Sequence, residues 1–262
     1  VQDLADKWAL ITGASSGIGE EYARQFAALG MNLIIAARRE DRLNALAAEL
    51  QDRYSVTVAV LPVDLLADGQ PAGLLEQVRQ LGHPVEVLIN NAGFGILSRV
   101  SQTEPAQASE MIALNIKVLA TLTYELLPDL LARGSGTVIN IASVAAFQPI
   151  VYMPVYAATK AFVLHFSESL WAEVRDRGVH VLAVCPGPTK SEFFDLAGMN
   201  GWYTKLSHTP ADVVGATLRA MKRKKNFTVV GWLNRLVAVS PRVTARRVVI
   251  KLSERIMRPD RG

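Results

Sequence analysis

Only one cysteine, Cys185, occurs in 262 residues. A lone thiol cannot close an internal disulfide, so burial and hydrogen bonding must hold the fold, and the usage fits a reducing compartment. The four histidines, His83, His165, His180 and His208, are scattered, and with one cysteine they offer no zinc-like ligand spacing, so no metal is expected. No apolar run approaches the roughly 18 to 20 residues of a membrane-spanning helix; the longest candidate, around "VLATLTYELL", is too short. No signal-peptide pattern opens the sequence, and a cytoplasmic location is expected. Neither a Pro/Gly/Ser linker nor an internal repeat divides the chain, which a single α/β domain can therefore account for. The body of the chain has no basic stripe interleaved with aromatics, so nucleic acid is not an expected partner. The net charge of +4 belongs to the C-terminus, because residues 232–262 carry eight Lys or Arg against two acids and leave residues 1–231 at −2.

What the chain does have is alternation. Short runs rich in Val and Ile ("WALIT", "NLIIAA", "VTVAVL", "EVLIN", "TVINIA", "VHVLAV" and "FTVVG") read as seven strands separated by six helical stretches. Their hydrophobicity is continuous rather than alternating, as in strands covered on both faces. The expected architecture is a doubly wound α/β fold: a seven-stranded, mostly parallel sheet with helices on both faces, spanning residues 1–231. Residues 232–262 follow as a basic amphipathic C-terminal helical extension. The longest interruption, 188–208, is expected to shape a binding site.

"TGASSGIG", Thr12 to Gly19, links the first strand to the first helix. Gly13, Gly17 and Gly19 permit a tight turn that brings backbone N–H groups and the positive end of a helix to a pyrophosphate. Gly13, Ser15, Ser16, Gly17, Ile18 and Gly19 are therefore candidate dinucleotide contacts. The spacing G-x-x-x-G-x-G differs from the general G-x-G-x-x-G fingerprint. The same residues also satisfy G-x-S-x-G, a nucleophile elbow centred on Ser15, with Asp195 and His208 following in the order of a hydrolase triad. An elbow on the first strand, however, leaves no earlier loop to complete an oxyanion hole. The second strand ends in Ala37, Arg38 and Arg39 where an NAD-binding chain would carry an acid, and a cation there suits the extra phosphate of NADP. Arg38 is the better candidate for a bidentate grip, with Arg39 close by. In "VDL", Asp64 and Leu65 are candidates for the adenine end, with helix capping as the competing role for Asp64.

Tyr156 and Lys160 stand four positions apart in "VYAATKAF", on one face of a predicted helix. In combination with "TGASSGIG", "NNAG" at 90–93, Asn115, Ser143 and "PGPTK" at 186–190, in that order, the chain resembles the single-domain short-chain dehydrogenase/reductase family through nearly its whole length to about residue 231. The resemblance implies a Rossmann-type NAD(P)-dependent oxidoreductase with a tetrad carried by Asn115, Ser143, Tyr156 and Lys160, and the arginine pair resembles NADP-preferring members. By the same resemblance Asn91, Ala92 and Gly93 line the cofactor, Pro186 and Gly187 border the nicotinamide, and Thr189 bonds its carboxamide. A homodimer or homotetramer through the helices at 104–133 and 154–177 is also implied.

A free tyrosine titrates near ~10, and the Lys160 ammonium is expected to lower the Tyr156 phenol while also holding the nicotinamide ribose. Ser143, just past the fifth strand, is placed to bond a substrate carbonyl oxygen. Asn115 costs a helix roughly half a kcal/mol relative to alanine, and its side chain or a disturbed backbone carbonyl is expected to hold a relay water. Phe94, Phe147, Tyr152 and Met153, with Phe193, Phe194, Met199, Trp202 and Tyr203 of the long loop, suggest an apolar ketone or alcohol substrate. No cation stands out as a carboxylate or phosphate clamp apart from Lys190 and Lys205. In the extension, Ala245, Val248, Val249, Leu252 and Ile256 share one helical face. Packing on its own or a sister subunit, an anionic membrane surface and an acidic partner are the three readings of that face. The expected activity is an NADPH-dependent carbonyl reductase or alcohol dehydrogenase. A non-catalytic NADP(H)-sensing protein and a Ser15 hydrolase are the alternatives.

Overall fold

A computed structural model describes residues 4–192 and 207–258. Its sheet consists of β1 (Trp8–Thr12), β2 (Asn32–Ala37), β3 (Val58–Pro62), β4 (Val85–Asn90), β5 (Gly136–Ile141), β6 (Val179–Cys185) and β7 (Phe227–Val229), in the order β3-β2-β1-β4-β5-β6-β7. Every pairing is parallel, with Leu10 level with Ile34 on one side of β1 and Leu88 on the other. The strands coincide with the seven apolar runs. The reason is visible in β1, β4 and β5, which are buried at every position and so have no polar face to alternate with.

The two largest apolar cores among the described residues lie on the two faces of the sheet. Under one face, α1 (Gly17–Ala28), α2 (Glu40–Tyr54) and α7 (Pro210–Lys222) bury Tyr22, Phe26, Leu43, Leu50 and Val213 against Ile11 and Ile35. Under the other, α3 (Ala72–Gln80), α5 (Leu119–Arg133) and α6 (Pro154–Val174) bury Leu74, Leu122, Leu126 and Leu170 against Leu10 and Val138. The chain leaves β1 toward β2 and β3 and then returns on the other side as β4. The carboxyl ends of β1 and β4 therefore flank a crevice, the place where open parallel sheets bind ligands.

α4 (Pro105–Ile112) and α5 are joined by one π turn, Ala113–Val118. Together they form a 29-residue helix long and apolar enough to cross a membrane by length and composition. This differs from the expectation that no segment reaches that length, because the apolar residues are spread over the joined helix rather than in one run. The helix instead buries Leu119, Leu122, Leu126, Leu127 and Leu130 against the sheet.

The tail forms α8 (Trp232–Val243) and α9 (Arg246–Met257). Both rest on the body of the molecule. Ala238 is buried with Leu164 and Val229, the Val151 N–H donates to Ser253 Oγ at 2.9 Å, and Met257 lies against the group around Met153. The shift in charge at residue 232 thus marks no gap in packing.

Candidate active site

The first turn is built around close backbone approach. Gly13 and Gly17 adopt φ of 67° and 59°, in the left-handed region that glycine enters without strain. A Cβ on Gly13 would stand 2.9 Å from Asn91 Nδ2, and one on Gly19 would collide with the Gly13 carbonyl. Asn91 Nδ2 donates to the Thr12 and Gly13 carbonyls at 3.0 and 3.1 Å. Thr12 Oγ1 accepts the Asn91 and Ala92 N–H groups, each at 3.1 Å. The ends of β1 and β4 are thereby laced together at the crevice, and Ser16 at the start of α1 makes no side-chain cap to the first turn. This cradle fits a pyrophosphate.

A cavity of 1390 Å³ runs along the crevice, larger than the ~300 to 1,000 Å³ usual for one small ligand. Gly13, Ser15, Ser16, Gly17, Ile18, Arg38, Arg39, Asp64, Leu65, Asn91, Ala92, Gly93, Ser143, Tyr156, Lys160, Pro186, Gly187 and Thr189 all line it. Gly19 is buried inside the turn, and Asn115 is buried behind the wall. Asp64 Oδ1 accepts the Leu66 N–H at 3.0 Å, so its carboxylate braces its own loop at the cavity edge. Thr189 Oγ1 donates to the Gly187 carbonyl at 3.0 Å.

The two arginines occupy different places along the cavity. Arg38 is exposed at the rim, whereas Arg39 reaches over the glycine turn and donates to Ser16 Oγ at 2.8 Å and to Ser15 Oγ at 3.1 Å. Arg39 thus sits against the glycine turn and Arg38 at the rim of the same cavity. The same bonds bear on the hydrolase alternative, because Ser15 faces a guanidinium, which cannot accept a proton.

On the opposite wall α6 presents Tyr156 and Lys160. The Tyr156 phenol is hydrogen-bonded to Ser143, and Ser143 Oγ also accepts the Ala145 N–H at 3.1 Å, which fixes its rotamer at the end of β5. Lys160 Nζ donates to the Ile141 carbonyl at 2.7 Å and stands 5.8 Å from the centre of the Tyr156 ring. The expected lowering of the phenol is corrected here. Burial pushes Tyr156 up to about 12, with only the Ser143 bond opposing it, while burial pulls Lys160 down to about 8 against a small opposing influence of Cys185. Loss of hydration dominates for the phenol, and the Lys160 ammonium donates to a backbone carbonyl rather than to it.

Asn115 sits within the π turn. Its Oδ1 accepts the Phe94 N–H at 3.1 Å, and its Nδ2 donates to the Phe94 carbonyl at 2.9 Å and to Thr159 Oγ1 at 3.0 Å. The side chain is thus consumed in tying the Asn91–Phe94 loop to α6. Of the two carriers foreseen for a relay water, the misaligned backbone of the π turn is the one left.

Phe94 and Met153 line the cavity as expected. Phe147 instead meets Phe227, with ring centroids 6.1 Å apart, in a small core. Tyr152 turns away under Arg99. Phe193, Phe194, Asp195, Met199, Trp202, Tyr203 and Lys205 lie outside the described residues. Sequence reasoning missed Ile96, Gln148 and Ile150 as lining residues, and also the wall formed by Leu233, Leu236, Val237, Leu252 and Ile256 from α8 and α9. The amphipathic pattern revealed the apolar stripe of the tail but held no signal for what it faces. Asn234 of α8 sits directly against Gly187, where any side chain on the glycine would collide with it.

A family model described as short chain dehydrogenase matches residues 7–198. Among solved structures, a short-chain dehydrogenase from Sphingobium yanoikuyae in complex with NADPH is 34% identical, with a TM-score of 0.81 over 90% of this chain and 93% of that one. A bulky-bulky ketone specific alcohol dehydrogenase from Comamonas testosteroni is 33% identical, with a TM-score of 0.76 over 85% of each chain. An NADP-dependent 3-hydroxy acid dehydrogenase of Schizosaccharomyces pombe is 30% identical over 86% of this chain and 91% of its own.

Proposed function

The chain belongs to the short-chain dehydrogenase family, and from that premise we propose that it is an NADPH-dependent oxidoreductase acting on an apolar ketone or the corresponding secondary alcohol. The observation that carries this reading is the convergence of Ser143, Tyr156 and Lys160 on one wall of a cavity whose far end holds Arg39 and the glycine turn. The reduced nicotinamide would supply a hydride to the carbonyl carbon.

The remaining work falls to the protein. Ser143 holds the carbonyl oxygen in place. Tyr156, kept protonated by its burial, donates a proton to that oxygen as negative charge develops on it. In the oxidative direction the phenolate formed takes the proton back. Lys160 supplies positive charge beside the phenol, and the π turn with the Asn115 brace keeps that wall in register. Gly13, Gly17 and the start of α1 would hold the pyrophosphate, with Arg39 at the adenosine 2′-phosphate. The NADPH complex of the Sphingobium relative and the name of the yeast relative support this cofactor. The walls Phe94, Met153, Leu236 and Leu252 support an apolar substrate, as does the ketone specificity named for the Comamonas relative.

A panel of carbonyl compounds followed by NADPH absorbance tests cofactor and reaction class together. Consumption of NADPH with bulky apolar ketones, and much less with NADH, is expected. Binding of NADPH without turnover of any carbonyl would favour a nucleotide-sensing role.

Two further proposals concern partners. Tyr124 of α5 and Phe162 of α6 are exposed apolar residues on neighbouring helices, and a homodimer or homotetramer through these helices is expected in sedimentation. Val239 and Val243 of α8 are exposed, as are Arg242 of the same helix and Arg246 and Arg247 at the start of α9, a composition suited to an anionic membrane surface. Flotation of the full chain with anionic vesicles, lost on Val243→Glu, tests that contact.

A further inference from the structure

Arg39, Glu192 and Arg42 form an ion cluster across the cleft. Arg39 and Arg42 come from the end of β2 and the first turn of α2, whereas Glu192 lies in the segment after β6, 153 positions from Arg39. Glu192 Oε2 pairs with Arg39 Nη1 at 2.8 Å, and Oε1 pairs with Arg42 Nη1 at 2.5 Å. Arg39 meanwhile keeps its bonds to Ser15 and Ser16, so the two guanidiniums bracket a single anion beside the glycine turn. The arginines hold the Glu192 carboxyl down to about 2, so that it is ionised throughout the physiological range. The three side chains are 39 to 45% exposed, and exchange of this carboxylate for an anion from solvent requires no opening of the core.

We propose that Glu192 is a built-in surrogate for the 2′-phosphate of the dinucleotide: it holds Arg39 and Arg42 in the free enzyme and must yield them when a 2′-phosphorylated ligand arrives. The inference rests on the reading of this cleft as a dinucleotide site. A phosphate dianion and a carboxylate cannot share the same arginine fork without like-charge repulsion, and the fork matches phosphate at least as well as carboxylate. Part of the attraction for the 2′-phosphate is therefore spent on breaking two ion pairs. A ligand lacking that group leaves the clasp closed. Glu192 thus moderates the preference for NADP over NAD.

Calorimetric titration of the full-length protein and its Glu192→Gln variant with 2′,5′-ADP, 5′-AMP and NADPH tests the clasp. The variant should bind 2′,5′-ADP and NADPH about three- to tenfold more tightly, the range of one or two exposed ion pairs, with 5′-AMP unchanged. Unchanged or weaker binding of 2′,5′-ADP by the variant, or an equal shift for 5′-AMP as a merely structural bridge would give, overturns the clasp. Wild-type protein that binds neither NADPH nor 2′,5′-ADP overturns the dinucleotide reading, and the clasp with it. A wild type that binds both beside an unaltered variant overturns the clasp alone.

Discussion

Tyr156 and Lys160 share one face of α6, yet burial moves their protons in opposite senses. The phenol holds its proton more tightly than usual and the ammonium less. The consequence for pH follows from the signs. Lys160 loses its charge as pH rises through about 8 rather than 10.5, while Tyr156, pushed up to about 12, remains a proton donor across the whole range. The alkaline fall in kcat/KM for NADPH should therefore begin near pH 8, and Lys160→Arg should remove that limb. Stability moves the other way: between about 8 and 10.5 the unfolded chain binds the Lys160 proton and the folded one does not. The melting temperature of the free protein should thus gain a contribution from this group as pH rises through that window. Tyr156→Phe is expected to lower turnover by roughly 10²- to 10⁴-fold, the usual range for a positioned acid, and to leave NADPH binding unchanged. A phenylalanine variant that still turns over at the parent rate would remove Tyr156 from the chemistry.

At the scale of elements, the π turn between α4 and α5 is the feature that places the site. One turn of wider helix carries Asn115 inward, where three hydrogen bonds join the Asn91–Phe94 loop to α6. Asn115→Leu would leave the part-buried Phe94 N–H and carbonyl without their side-chain partner, while the Thr159 hydroxyl would keep its bond to the Tyr156 carbonyl. A loss of about 2 to 4 kcal/mol in unfolding free energy is expected from such groups, together with a turnover loss exceeding any change in cofactor affinity. Denaturant unfolding paired with steady-state kinetics checks both, and a variant of parent stability would show that the brace carries nothing. α8 and α9 form a wall of the same cavity, which under the proposed function is its substrate end. Leu236 and Leu252 line the cavity although each is more than half exposed, so a change there should hardly disturb folding. Leu236→Asp or Leu252→Asp should raise KM for bulky apolar ketones about tenfold, within the range of losing one apolar contact or a few, and affect small ketones much less. Equal effects on both classes would place the substrate elsewhere.

For the whole molecule, the sheet order determines where everything meets, since the crevice beside β1 and β4 gathers residues from Gly13 to Met257 into one cavity. The chain by itself determined the seven strands, the helices between them and the residue types of the site. Strands buried on both faces must read as unbroken Val and Ile runs, and the glycine turn, the Tyr156/Lys160 spacing and the strand-end positions of Asn91 and Ser143 are local patterns. Tertiary structure alone decided the rest. Arg39 rather than Arg38 lies over the glycine turn because the end of β2 aims only one of two adjacent side chains inward. The Asn115 side chain braces a loop because a π turn brings it to Phe94, and no property of residues 113–118 taken singly announces that partner. The tail became a cavity wall and Tyr156 gained rather than lost affinity for its proton for one shared reason. Burial, and the loss of hydration that comes with it, depends on what distant segments bring to the same place.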